Sequence, residues 1–115
     1  MVMEKALLEF KRLLKRCYRM VKKNLIIKAK EIKGKCPVFR VGDTFSIRNG
    51  YILKLGKPVC MHSLTSVMPY YVALSRGIKP EFLGLGKANK AYVQCLDPCD
   101  YTGGGTVIFE IVVEE

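Results

Sequence analysis

The stretch Thr106-Val107-Ile108-Phe109-Glu110-Ile111-Val112-Val113 decides the fold of this chain. Its residues are mostly β-branched or aromatic, which are the types that strands favour. The run Gly103-Gly104-Gly105 precedes it, as expected of a connection that leads into a strand. We predict a strand here, and it is the strongest strand prediction in the chain.

Working outward, other short segments have strand features. Residues 25–33 alternate in part and end at Gly34. In the segment 44–48 Phe45 and Ile47 share a face, and Asn49-Gly50 supplies residues that tolerate positive φ. A hairpin into residues 51–53 is therefore predicted. The segment 91–95 is a further predicted strand.

A central helix is predicted between these strands. Apolar residues in 61–76 follow a helical spacing, and Arg76-Gly77 is a good stop signal. Because Pro69 fits a first turn and breaks a helix interior, we expect either a turn followed by a helix from about residue 68 or one kinked helix. Residues 78–90 are expected to form a loop.

The N-terminal residues 3–23 predict an amphipathic helix. Its apolar stripe consists of Ala6, Leu7, Phe10, Leu13, Leu14, Cys17, Met20 and Val21. Its opposite side is basic, with Lys5, Lys11, Arg12, Lys15, Arg16, Arg19, Lys22 and Lys23. Leu8 is the one apolar residue on the basic side. Such a stripe needs cover from the domain, a second chain or lipid.

The fold class predicted from these elements is α+β. We expect an antiparallel sheet of four or five strands with one central helix, formed by residues 25–115 as a single folding unit, and an added basic amphipathic helix at residues 1–24. A sheet of this kind leaves one face to be covered. The N-terminal helix or a second subunit would cover it, and a homodimer is favoured.

Charge is distributed unevenly along the 115 residues. The formal net charge is +10, and residues 1–40 hold thirteen basic and three acidic side chains while the rest holds seven of each. A concentrated basic segment attracts polyanions. Three interpretations of the helix stay open: its stripe packs on protein, its basic residues Lys11, Arg12, Lys15, Arg16 and Arg19 bind nucleic acid, or it lies on an anionic membrane. Packing is favoured, and peripheral membrane contact is favoured least.

No apolar run approaches the length of a membrane span, so we predict a cytoplasmic protein without a transmembrane segment. Four cysteines lie at element boundaries in this sequence and could converge on a metal; they are Cys36, Cys60, Cys95 and Cys99. Four thiolates suit zinc or an iron–sulfur cluster, although only Cys95 and Cys99 have knuckle spacing. Redox chemistry and inert buried thiols are the alternatives, and Cys17 is interpreted as a core residue.

Other residues carry weaker signals. A catalytic pair of Cys60 and His62 is the least favoured use of these side chains. The glycine run lacks the following helix of a phosphate loop. Asp43, Asp97 and Asp100 are interpreted as turn residues that cap backbone N–H groups.

Several pieces taken together resemble a family of small, functionally uncharacterised prokaryotic proteins. The matching pieces, within residues 25–113, are Cys36-Pro37, Val41-Gly42-Asp43-Thr44-Phe45, Gly50, Cys60, Leu64, Pro69, Leu74 to Gly77, Cys95-Leu96-Asp97-Pro98 and Val107-Ile108-Phe109-Glu110-Ile111. The resemblance implies no reaction. It implies recurring cysteines at positions 36, 60 and 95, with Cys99 and the basic helix as departures, so a shared site would have three thiolates and another donor.

We therefore predict a small, non-enzymatic cytoplasmic protein that uses its cysteines for metal, iron–sulfur or redox chemistry. The alternative is a nucleic-acid-associated module that binds through the basic N-terminal helix.

Overall fold

The computed structural model describes residues 2–20 and 22–114, and of residues 15–20 it describes the backbone alone. Six strands and three α-helices form in this part of the chain. They are α1 (Val2–Met20), β1 (Leu25–Gly34), β2 (Thr44–Arg48), β3 (Ile52–Lys54), α2 (Met61–Ser75), β4 (Gly86–Lys87), β5 (Lys90–Gln94), α3 (Cys99–Thr102) and β6 (Gly105–Val113). A 3₁₀ turn at Pro80–Leu83 precedes β4.

The strands form one antiparallel sheet in the order β3-β2-β1-β6-β5-β4. The two longest strands, β1 and β6, lie together at the centre, with Leu25 opposite Val113 and Gly34 opposite Gly105. The predicted α+β class is confirmed, but the sheet has six strands where four or five were expected. The additional strand is β4, whose two residues are too few to show a pattern in the sequence.

The hydrophobic core lies between one face of this sheet and α2. Alternate residues of the central strands point into it, among them Ile27, Phe109 and Ile111. From α2, Val67 and Leu74 pack against them and are almost fully buried. Alternate residues of the strands and helix residues seven positions apart therefore pack together in one apolar layer.

Helix α2 is continuous through Pro69. The predicted alternative of a turn followed by a helix from about residue 68 is therefore wrong, and a single helix forms. The Cys60 side chain accepts a hydrogen bond from the His62 N–H at its N-terminus, and Gly77, with φ of 90°, follows its C-terminus as the stop signal predicted. Pro69 lies on the exposed side of the helix. Water can therefore satisfy the carbonyl group whose partner N–H a proline lacks.

The predicted hairpin also forms. Asn49 and Gly50, with φ of 55° and 86°, turn the chain from β2 into β3. Gly103 ends α3 in the left-handed conformation, and β6 begins at Gly105. A Cβ at Gly105 would lie 2.6 Å from the Cys36 nitrogen, so this part of the glycine run allows close packing of two backbone segments.

Helix α1 does not cover the sheet. Each side chain from Val2 to Leu14 is exposed, including the members of the apolar stripe within this range, and the molecule extends 67 Å along its longest axis but only 27 and 21 Å along the others. Of the three covers predicted as alternatives, the domain itself does not cover these residues, which leaves a second chain or lipid. The core side of the sheet is instead covered by α2 together with residues outside it, among them Phe39 and Leu83. Among the described helices none is both apolar enough and long enough to cross a bilayer.

Candidate nucleic-acid interface

The sheet face opposite α2 is termed here the open face. Its residues follow from the strand register, which places Thr44, Lys28, Glu110 and Tyr92 in one row across β2, β1, β6 and β5. A neighbouring row runs through Lys54, Ser46, Ile26, Val112 and Lys90. Adjacent strands lie about 4.8 Å apart, so this second row spans roughly 19 Å.

Basic side chains dominate the open face. It carries Lys28, Lys30, Lys33, Arg48, Lys54 and Lys90. Three of them pair with carboxylates: Lys30 with Glu110 at 3.0 Å, Lys33 with Asp100 at 2.8 Å and Arg48 with Glu114 at 3.3 Å. Lys28, Lys54 and Lys90 form no ion pair within the part of the chain that the structure describes, so their charges face solvent.

Glu110 is the buried carboxylate of this face. Its Oε2 atom accepts hydrogen bonds from Lys30 Nζ at 3.0 Å and from the Tyr92 hydroxyl at 3.1 Å. The hydrogen bond from Lys30 holds the pKa of Glu110 below its ordinary value, and the same bond raises the pKa of Lys30. Glu110 thereby fixes the Tyr92 ring in place through its hydroxyl group.

Two tyrosines stand beside the basic residues. Tyr92 is partly exposed on β5, and Tyr101 of α3 is 92% exposed. Between α3 and the sheet is a cavity of about 310 Å³, whose lining includes Tyr101, Lys33, Gln94, Thr106 and two carboxylates, Glu31 and Asp100. The face therefore combines positive charge, aromatic rings and a concave site with polar side chains.

The residues proposed from the sequence for nucleic-acid binding lie on α1. Lys11 and Arg12 are exposed there. The side chains of Lys15, Arg16 and Arg19, like that of Cys17, lie outside the described part, although their backbone continues the helix. The helical backbone thus supports the spacing on which the prediction of a basic side depends.

The four-cysteine site predicted from the sequence has no support in the structure. Across residues 2–14 and 22–114, whose side chains are described, no group of three or more His, Cys, Asp and Glu is placed to hold a metal ion. All four thiols, at Cys36, Cys60, Cys95 and Cys99, are free. The prediction was based on the positions of the cysteines at element boundaries, and such positions alone do not assemble a set of metal ligands.

Each of these thiols has a local partner. Cys36 Sγ accepts a hydrogen bond from the Phe39 N–H at 3.3 Å, and Cys95 Sγ accepts one from the Asp97 N–H at 3.5 Å. Cys36, Cys60 and Cys95 all pack against the core. The Cys99 thiol lies on the open face, 3.8 Å from Asp100 Oδ1. Redox use of the thiols stays a prediction.

The remaining candidates have structural contacts. Asp43 Oδ2 accepts a hydrogen bond from the Arg40 N–H at 2.8 Å and pairs with Lys57, which lowers the pKa of Asp43. The capping interpretation of Asp43 is thus confirmed. Asp97 instead accepts from the Thr102 hydroxyl group. The backbone of His62 contacts Cys60 Sγ, at 3.4 Å, through a bond that serves as a helix cap.

The open face was missed by the sequence analysis. In linear order the aromatic residues are not interleaved with basic ones, but the sheet brings Tyr92 into the same row as Lys28, 64 positions away. The detectable signal was the alternation of Lys28 and Lys30 with apolar residues in β1, which already placed lysines on the side opposite the core.

The fold and this face define a class: a small open-faced antiparallel α+β module with a basic helical arm. No family profile, no curated protein and no solved structure matches the chain. The resemblance given above stays a prediction.

Proposed function

We propose that the protein is a non-enzymatic module that binds single-stranded nucleic acid on the open face of its sheet, with the basic side of α1 as a second contact. The observation that carries the proposal is the row in which Lys28 and Tyr92 lie together on an exposed sheet. Lysines that face solvent attract phosphates, and exposed rings stack on bases.

Single strands suit this face better than a duplex does. A sheet is nearly flat and places its side chains on one plane, where unpaired bases can be splayed out and stacked on aromatic rings. The cavity beside Tyr101 is within the usual size range of small-ligand sites, and its lining offers the polar groups that a base edge needs. The cavity lies toward the Gly34–Gly105 end of the sheet and the row from Lys54 to Lys90 toward the other end, so a nucleic-acid strand that contacts both would run along β1 and β6.

The basic side of α1 adds a contact of a different kind. Its exposed Lys11 and Arg12, and the sequence positions Lys15, Arg16 and Arg19, repeat along one side of a helix about 28 Å long. Contacts of this kind neutralise phosphates without reading sequence. Binding is therefore expected to be strongly salt-dependent and only weakly sequence-specific.

The test measures the affinity of the full chain for single-stranded RNA and DNA oligonucleotides over a salt series. The double variant Lys28→Ala/Lys90→Ala should weaken binding and reduce the salt slope by about 0.7 per lost phosphate contact. The matched control Lys35→Ala/Lys79→Ala removes the same charge from exposed positions elsewhere. If both variants bind alike, the open face is not the site and the proposal fails.

An aromatic pair of variants separates stacking from charge. Tyr101→Ala should weaken single-strand binding by about 5-fold or more, since one stacked base contributes roughly 1–3 kcal/mol. Phe82→Ala removes another exposed ring, in the 3₁₀ turn, and should leave affinity unchanged. Tight binding to anionic vesicles without any oligonucleotide binding would instead assign α1 to membranes and overturn the proposal.

A further inference from the structure

A second surface of the chain is apolar and has no partner in the structure. It is a groove between α2 and the β2–β3 hairpin, on the side of the molecule away from the open face, and we name it the α2–β3 groove. Its cavity measures about 190 Å³ and its lining includes Ile47, Tyr51, Leu53, Leu64, Met68 and Tyr71. Tyr51 is 68% and Met68 54% exposed.

This exposure continues along α2. Met61 and Val72 are exposed on the same side of the helix as Met68, seven residues before it and four after. A continuous apolar strip therefore runs beside the hairpin for most of the 15 residues of α2. Patches of this kind on a small domain usually mark an interaction site.

The chain also contains a segment that fits such a groove. The stripe of α1 repeats in steps of three and four, and its described members Leu7, Phe10 and Leu14 are all about half exposed. Amphipathic helices that lie in apolar grooves use this i, i+3, i+7 spacing. At about 28 Å, α1 is slightly longer than the roughly 22 Å of α2 beside which it would lie.

We propose that the α2–β3 groove receives α1 from a second copy of this chain, and that the exchange is reciprocal. In the structure α1 stands away from its own domain, so its stripe is available to another molecule. Two copies related by a twofold axis would fill both grooves and cover both stripes, which closes the assembly as a dimer. This dimer is independent of the proposed nucleic-acid function.

Charge favours the groove over direct pairing of two α1 helices. Between Val2 and Met20 there are six basic and two acidic residues, so two such helices side by side would repel each other. The residues lining the groove are uncharged. Docking there covers the stripe while the basic side remains in solvent, where it is free to contact phosphates.

The area that a stable dimer needs sets the size that this contact must reach. A specific interface buries about 1,600 Å² in total, so each of the two reciprocal contacts needs only about 400 Å² from the helix and as much from the groove. The stripe offers eight apolar side chains for this, and Phe10 and Leu14 lie where its described part is densest. Tyr51, Met68 and Tyr71 are the types of residue that carry interface energy on the other side.

The test is the oligomeric state of the full chain, measured by sedimentation over a wide concentration range. Leu14→Glu should weaken the dimer by about 100-fold or more because a carboxylate would be buried without a partner. Leu8→Glu is the matched control, since Leu8 is 49% and Leu14 53% exposed but Leu8 lies on the basic side of α1. Met68→Glu should also disrupt the dimer, whereas His62→Glu, at an exposed position about 120° around α2 from Met68, should not.

A mixing experiment distinguishes the second copy from other occupants. Leu14→Glu has an intact groove and Met68→Glu an intact helix, so an equimolar mixture should form a heterodimer through one intact contact, weaker than the wild-type dimer, while neither variant dimerises alone. A wild-type chain that stays monomeric at every concentration overturns the proposal, whether α1 then folds onto its own groove or binds vesicles. So does a dimer that Leu8→Glu and Leu14→Glu weaken equally.

Discussion

Glu110 illustrates how one side chain organises the charged groups of the open face. It is only 6% exposed, and a buried carboxylate is unfavourable unless cations and hydrogen-bond donors compensate it. Lys30 supplies the cation and Tyr92 a neutral donor. The glutamate that interrupts the apolar run of β6 is therefore the group that positions Tyr92 among the lysines.

Stability should depend on the ionisation of Glu110. Its pKa in the folded chain lies below the ordinary value of 4.5, chiefly because of the hydrogen bond from Lys30. The stabilisation is therefore complete above about pH 4.5 and is lost as the pH falls through the lower, folded-state value. Glu110→Gln should reduce the free energy of unfolding by about 1–2 kcal/mol at neutral pH.

Urea denaturation at neutral and at acidic pH checks this expectation. The difference between Glu110→Gln and the wild type should shrink in acid, where the wild-type carboxylate is protonated as well. Glu31→Gln, an exposed carboxylate on the same strand pair, serves as the control and should change stability by less than about 0.5 kcal/mol. An equal loss at both pH values would assign the role of Glu110 to packing.

At the scale of elements, α2 has two apolar sides with different partners. Val67 and Leu74 lie seven residues apart and pack in the core, whereas Met68 lines the α2–β3 groove and Met61, also seven residues away, is exposed on the same side of the helix. A helix that is apolar over so much of its circumference is normally buried on both sides. The groove side is thus the part of α2 that is not covered by other residues in a monomer.

Leu74→Ala tests the core side of this helix. Leu74 is fully buried, and truncation should lower the free energy of unfolding by about 2–5 kcal/mol because it creates a cavity. The same substitution at the exposed Leu96 should have an effect below about 0.5 kcal/mol. Chemical denaturation of both variants measures the difference, and equal effects would place Leu74 outside the core.

The elements that the sequence predicted well are those with local signals. The run of β6, the Asn49-Gly50 turn and the Arg76-Gly77 stop are each set by a few neighbouring residues. The two residues of β4 pair only because β5 lies beside them, and α3 forms a single turn that ends at Gly103. Because such elements depend on tertiary contacts, no periodic pattern of apolar residues in the sequence predicts them.

The candidate site was less predictable for the same reason. The lysines and Tyr92 of the open face come from separate strands, and only the register of the sheet shows that they are neighbours. For the cysteines, the sequence predicted a convergence that the described side chains do not support. Their places at element ends suggested convergence, yet each thiol is held by its own local partner.

On the scale of the whole molecule, stability should be uneven. The central pair β1 and β6 has hydrogen-bonded neighbours on both sides, whereas the described side chains of α1 are exposed. A helix of 19 residues without tertiary packing is only marginally stable in water. Backbone amides of α1 should therefore exchange with solvent much faster than those of β1 and β6 in dilute solution.

Hydrogen-exchange mass spectrometry at several protein concentrations measures this contrast. Exchange in α1 should slow as the concentration rises and helices dock in the grooves of second copies, while exchange in β6 should stay constant. Protection of α1 that is independent of concentration would point to docking within one chain, and unprotected α1 at all concentrations would leave it as a free arm.

The outermost strands of the sheet are its shortest, three residues in β3 and two in β4. Unpaired backbone groups at a sheet edge are the templates on which neighbouring molecules add strands and grow fibrils. Because both edge strands are so short, molecules bound side by side on one nucleic acid, as proposed above, would have little exposed edge on which to form cross-β aggregates. Molecules held close together would then contact one another through their side chains, without backbone hydrogen bonds between their sheets.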